Sequence, residues 1–146
     1  MLTGENRVVA VDILHDVGRS LNPAIDVGQI EGGFIQGMGW LTTEELWWND
    51  TGQLKTHAPS TYKIPTSVDR PEHFEIRIFE SSENLENTIY RSKAVGEPPL
   101  MLALSVHQAI ADAIASAGVY RRSPNLPAPA TPETILRAVN NLRVAN

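Results

Sequence analysis

Apolar residues recur along the chain at two spacings, one helical and one alternating, and these divide it into elements. Residues 7–14 are apolar, β-branched and partly alternating, which predicts a strand. From about Pro23 or Asp26 to about Leu41, the residues Val27, Ile30, Phe34, Met38 and Leu41 repeat at steps of three and four. That spacing predicts a helix with one apolar stripe. Residues 44–48 and 53–56 flank the turn sequence Asn49-Asp50-Thr51-Gly52, which predicts a hairpin. Residues 73–80 alternate, with Phe74, Ile76, Ile78 and Phe79 apolar, and predict a half-buried strand; residues 88–90 read as a further short strand.

The second half of the chain is more helical. Residues 100–118 predict one helix with Leu102, Val106, Ala109, Ala113 and Ala117 as its stripe, widened by Ala103, Ile110 and Ile114. Gly118 is the expected C-cap. Thr131-Pro132-Glu133 carries the signals of a helix start, followed by Ile135, Leu136, Val139 and Leu142 as an apolar face. Strands and helices mix without a regular βαβ period. The expected fold is a two-layer α+β domain over residues 1–146, its helices packed on a mixed or antiparallel sheet.

Two stretches break the ordinary rules for their elements. The first predicted helix contains Gly28, Gly32, Gly33, Gly37 and Gly39, and each interior glycine costs a helix about 1 kcal/mol relative to alanine. Close approach of another backbone or of a bulky ligand would offset that cost, as would tight packing against a strand. Gln29 and Gln36 share a face with Gly33, and Gln29 lies near the helix start, where a polar ligand would give its amide a partner. The second stretch is Gly96-Glu97-Pro98-Pro99. The prolines fix their own φ, remove two donors and drive Glu97 out of the helical region, while serving as the first turn of the helix that follows. Glu97 is therefore held at a loop-to-helix junction. Its simplest reading is an acidic residue favoured by the helix dipole.

Composition narrows the function. The 146 residues are 42% hydrophobic and 20% charged, which suits a soluble globular domain. A net charge of −5 with scattered Lys and Arg excludes a nucleic-acid surface, and no membrane partner is expected because no apolar run reaches the length of a span. There are no cysteines, hence no disulfide, no thiolate nucleophile and no iron–sulfur cluster on this chain. His15, His57, His73 and His107 form no paired ligand motif, so no metal ligand is expected among them. No Ser-His-Asp spacing occurs. Trp40, Trp47 and Trp48 read as core or interface aromatics.

Three blocks then appear in order. The first is Asp16-Val17-Gly18-Arg19-Ser20-Leu21-Asn22-Pro23-Ala24-Ile25-Asp26-Val27-Gly28-Gln29, running on through Glu31-Gly32-Gly33-Phe34-Ile35-Gln36-Gly37-Met38-Gly39. The second is Pro59-Ser60-Thr61-Tyr62-Lys63-Ile64-Pro65, and the third Lys93-Ala94-Val95-Gly96-Glu97-Pro98-Pro99. Together they resemble the molybdenum hydroxylases, in the form typical of xanthine dehydrogenases. The resemblance covers nearly the whole chain but only the C-terminal part of that family's molybdenum-binding subunit. It implies the fold of the C-terminal molybdopterin-binding domain and a molybdopterin cofactor whose sulfurs hold the metal. In the enzymes it resembles, a glutamate takes a proton from an oxygen on the metal, and Glu97 matches it. Gln29 matches the glutamine that hydrogen-bonds an oxo ligand. The Pro98-Pro99 pair points to purine hydroxylation, hypoxanthine and xanthine to urate.

The same resemblance implies what must lie elsewhere. FAD and [2Fe-2S] clusters are expected on other segments, with the remaining molybdenum-subunit segments and the iron–sulfur and flavin subunits as partners. The chain then reads as a fragment, cytoplasmic and inactive alone, whether excised, a short subunit or a degenerate reading frame. Self-association into a homo-oligomer is expected where the missing half would pack. The alternatives are a non-catalytic association domain and a piece of an aldehyde oxidase-type hydroxylase.

Overall fold

The computed structural model describes residues 3–81 and 83–144. Met1 and Leu2 of the polar N-terminus, Ser82 of the polar loop, and the last two residues lie outside the described residues. Strand β1 (Ala10–His15) pairs with strand β2 (His73–Ile78), from Ala10 opposite His73 to His15 opposite Ile78. The pairing is parallel, so among the described residues the sheet is neither mixed nor antiparallel as expected. The reason lies in the connection. A parallel pair needs a crossover, and helix α1 (Pro23–Thr42) supplies it. The expected hairpin, which would have made the sheet antiparallel, shrinks to a single bridge between Trp48 and Leu54. The Thr56 hydroxyl accepts the Trp47 N–H at 2.9 Å, in place of a ladder carbonyl.

Helix α1 starts at Asn22, whose side-chain oxygen caps the Ile25 N–H, with Pro23 in the first turn. Its expected stripe is real: Ile30, Phe34 and Met38 are buried. Phe34 meets Phe74 of β2 with ring centroids 5.5 Å apart, and Arg70 covers the Phe74 ring at 5.2 Å. The α+β layering thus holds, with helix packed on sheet.

The single helix expected over residues 100–118 is two: α2 (Pro98–Leu102) and α3 (Leu104–Ala117). Ala103 separates them, and the bonds there run three residues back, Ala103 N–H to Leu100 O and Val106 N–H to Ala103 O. Such a tightened turn changes the register. The buried stripe is therefore Ala103, Val106, Ile110 and Ile114, while Ala109, Ala113 and Ala117 face outward. By length and composition Pro98–Ala117 is apolar enough to cross a membrane, contrary to the reading from apolar runs. Its buried stripe nevertheless joins the core beside Ile30 and Phe34.

Gly118 does cap α3, but at φ −98°; the left-handed residues are Val119 and Tyr120. Leu142 sits 3.3 Å from where a Gly118 Cβ would lie, so the glycine serves packing against helix α4 (Pro132–Val144). As expected, Thr131 begins α4, its hydroxyl accepting the Thr134 N–H. The strand expected at residues 88–90 is instead a tight turn in which Tyr90 and Arg91 take φ of 51° and 60°. The Arg91 guanidinium holds this turn by donating to the carbonyls of Leu85 and Glu86 at 3.0 and 3.1 Å. Trp40, Trp47 and Trp48 are about half exposed, which removes the core reading for them.

Candidate functional site

The five glycines of α1 divide into two groups by what surrounds them. A Cβ at Gly37 would lie 2.3 Å from the Leu100 carbonyl oxygen, and one at Gly33 would lie 3.1 Å from Pro99 Cβ. A Cβ at Gly39 would meet Glu44 Oε1 and the Pro65 ring. These three are explained by close packing, though against a helix and a proline loop and not against a strand. Gly28 and Gly32 have nothing within 4 Å of a Cβ position and are exposed. Nothing among the described residues gains from their missing side chains.

Gln29 lies on that open face, exposed. A Cβ at Gly96 would stand 3.3 Å from Gln29 Oε1, so the amide lies directly against the glycine that precedes Glu97. Glu97 occupies the N-cap position of α2 at φ −100°, ψ −41°, which is helical backbone and not the extended conformation expected before a proline, and its side chain makes no capping hydrogen bond. Prolines at positions 98 and 99 start α2 at once, as the sequence implies. The fold thus brings Gln29 and the Glu97 loop together, through the seat that Gly33 and Gly37 make for Pro99 and Leu100. Glu97 stands on an exposed face.

The root of the Glu97 loop is tied to the segment that leads into α1. Gly18 bridges Ser92, Lys93 N–H donates to Val17 O at 2.8 Å, and Arg19 N–H donates to Arg91 O at 3.1 Å. Lys93 Nζ reaches Asp16 Oδ2 at 2.5 Å, and Asp16 Oδ1 accepts the Gly18 N–H at 2.8 Å. Sequence reasoning assigned these residues no role; the Asp-x-Gly turn signal was the available hint. A cavity of about 1200 Å³ opens beside the same turn, lined by Gly18, Arg19, Ser20 and Pro23 with Arg77 and Phe79 across from them.

The fold also assembles a group that spacing along the chain did not show. Asp12, His73 and Glu75 offer ligand atoms within 4.8 Å of one another. Alternation puts them on the sheet face opposite Phe74, hence away from α1 and Gln29. His73 Nε2 pairs with Asp12 at 2.9 Å, and Glu75 accepts Arg77 Nε at 2.6 Å. The hydrogen bond and charge of Asp12 raise the His73 pKa above its ordinary 6.5. Just past the end of α1, the hydrogen bond to Glu44 raises the Tyr62 hydroxyl pKa above its ordinary 10.0. The sheet-face group reads as exposed ion pairs.

Comparison with known proteins puts names to the pattern. Residues 1–71 match the family model described as a molybdopterin cofactor-binding domain. The chain is 48% identical over 143 residues to xanthine dehydrogenase/oxidase of Mus musculus, covering 94% of this chain and 11% of that protein. Over 140 residues it is 49% identical to aldehyde oxidase 1 of Macaca fascicularis, covering 94% and 10%. Among solved structures, quinoline 2-oxidoreductase from Pseudomonas putida 86 superposes with a TM-score of 0.80 at 31% identity, over 95% of this chain and 17% of that one. The chain therefore spans about a tenth of the length of the curated relatives it matches.

Proposed function

The chain belongs to the molybdopterin-dependent hydroxylase family, homologous to the C-terminal molybdopterin-binding region of xanthine dehydrogenase/oxidase-type enzymes, and on that premise we propose that it supplies Glu97 as catalytic base and Gln29 as a cofactor-facing amide to a purine-hydroxylating oxidoreductase. The observation that carries this reading is the contact of the Gln29 amide with Gly96 on an open helix face.

The residues present fit the cofactor. Gly28 and Gly32 leave the α1 backbone uncovered, which admits a bulky planar group close to the helix. Gln29 is neutral and offers both donor and acceptor, with no hydrogen bond of its own among the described residues. The molybdenum–pterin group, when bound, supplies the oxygen-transfer and two-electron redox chemistry. Its metal is held by pterin sulfurs, so this chain needs polar contacts and not ligands; the Asp12–His73–Glu75 group has no part in holding it. Glu97 is exposed and its carboxylate has no hydrogen bond or ion pair among the described residues, so it is available to accept a proton from a reacting group placed over α1. The two prolines after it fix the backbone that immediately follows, and Pro99 and Leu100 are seated on Gly33 and Gly37, which limits where the base can stand.

Purine is the proposed substrate because Pro98 and Pro99 follow Glu97 as in the xanthine-oxidising branch. Identity does not separate the branches, since the aldehyde oxidase relative matches as well as the xanthine dehydrogenase one. FAD, [2Fe-2S] clusters and the rest of the molybdenum-binding region reside on other segments in this reading. The assembly is cytoplasmic, and the isolated chain turns nothing over. The test uses the complete enzyme carrying this segment, assayed with xanthine and with an aromatic aldehyde. Glu97→Gln, which keeps shape but cannot take the proton, should lower kcat by about 10²–10⁴. Near-normal turnover would remove the base assignment, and preference for the aldehyde would move the protein to the other branch.

A further inference from the structure

We propose that Asp16 and Lys93, with Gly18 held between them, are positioning residues for Glu97: they fix the root of its loop to the segment entering α1, and so set its place relative to Gln29. The inference rests on the reading of Glu97 as base and extends it to residues that touch neither cofactor nor substrate.

The loop is held at two ends. Downstream, Pro99 and Leu100 press on Gly33 and Gly37. Upstream, Gly18 bridges Ser92, and Lys93 N–H donates to Val17 O at 2.8 Å. Between these anchors Ala94, Val95 and Gly96 make no backbone hydrogen bond among the described residues. The span takes its position from its two end anchors and from Val95, which packs against the core, so movement of Lys93 is passed to Glu97 in part.

One carboxylate controls the upstream anchor. Asp16 Oδ1 accepts the Gly18 N–H at 2.8 Å and shapes the turn, while Asp16 Oδ2 holds Lys93 Nζ at 2.5 Å. Gly18 has φ +62°, and a Cβ there would lie 2.6 Å from Arg91 O, so the two segments approach only because no side chain intervenes. The Lys93 and Asp16 side chains are 36% and 42% exposed. An ion pair that open to solvent contributes little to global stability. Its removal should therefore be read in the loop and not in the fold.

The experiment is made in the complete molybdenum hydroxylase carrying this segment. Lys93→Met keeps the aliphatic stem and removes the charge. It should lower kcat about tenfold with KM little changed, since small misplacements of a catalytic group cost up to about 10². Hydrogen exchange of a peptide covering residues 91–99 should quicken while the thermal midpoint stays in place. Lys93→Arg should restore both readouts. Asp16→Asn, which keeps an acceptor for Gly18, should behave like Lys93→Met, and the double variant should be no worse than either. Unchanged exchange in Lys93→Met overturns the proposal whatever the activity. So does a fall in kcat that merely follows a fall in thermal midpoint. Glu97→Gln run alongside separates the two readings: full activity there sinks the base assignment, whereas its loss beside an unaffected Lys93→Met sinks only the clamp.

Discussion

The outer face of the sheet and the open face of α1 carry polar groups under opposite conditions. Asp12, His73 and Glu75 sit on ordinary strand backbone, exposed and already paired with one another or with Arg77. Their backbone is ordinary strand, so side chains other than proline could stand in their places. Gln29 and Glu97 make no such pairs, but the backbone beneath them tolerates almost no change, because Leu100 O lies 2.3 Å from a Gly37 Cβ position. A dense cluster of ionisable groups is therefore the weaker pointer to chemistry here. The stronger pointer is a backbone specialised beyond what its own packing explains, as at Gly28 and Gly32.

The comparison breaks most readily at the seam. Gly37→Ala gains about 1 kcal/mol of helix propensity. Against that it drives a methyl into Leu100 O and Ala103 Cβ, positions 2.3 and 2.8 Å away. Backbone oxygen cannot swing aside, and overpacking typically costs 1–3 kcal/mol or more. The overlap should win, with a net loss of about 1–2 kcal/mol in chemical denaturation. Equal or greater stability would mean that α2 slides on α1 freely, and the seam would then position nothing.

Gly32→Ala, on the same helix, should do the reverse. With nothing within 4 Å of the new methyl, it should stabilise the chain by about 1 kcal/mol. In the complete enzyme it should weaken cofactor retention, measured as bound molybdenum per protein. A stabilised enzyme with full metal content would show that the open face is open for no reason.

The smallest effect belongs to the sheet face. The His73 pKa is raised above 6.5 by Asp12. A raised folded-state pKa contributes stability that is fully present below pH 6.5 and is lost as pH rises through the folded value. In a nuclear magnetic resonance titration, Asp12→Asn should bring the His73 pKa down toward its ordinary value, with high salt doing part of the same. A His73 pKa that ignores Asp12 would sever the pair.

How much of this could be read beforehand depended on sequence distance. The α1 stripe and the start of α2 at Pro98-Pro99 are local patterns and stand where periodicity and proline chemistry placed them, but Glu97 itself does not leave the helical region as the following proline implied. The parallel pairing of β1 with β2 was hidden because its partners, such as Ala10 and His73, lie far apart in the chain. Local turn signals near Asn49 suggested a hairpin that a single threonine hydroxyl cuts short. The glycines were visible as anomalies, but only the placement of α2 sorted those that meet backbone from those that meet open space. The break at Ala103 was invisible because alanine carries no signal for a tightened turn.

The bond between Asp16 and Lys93 joins residues 77 apart in the chain. The Glu97 loop is thus tied to the segment entering α1 by a contact that closes a long loop. Closure entropy grows only slowly, by about 0.6 kcal/mol for each doubling of loop length. Chain added to the excursion between α1 and β2 should therefore weaken the fold and slow assembly of the loop contacts only modestly.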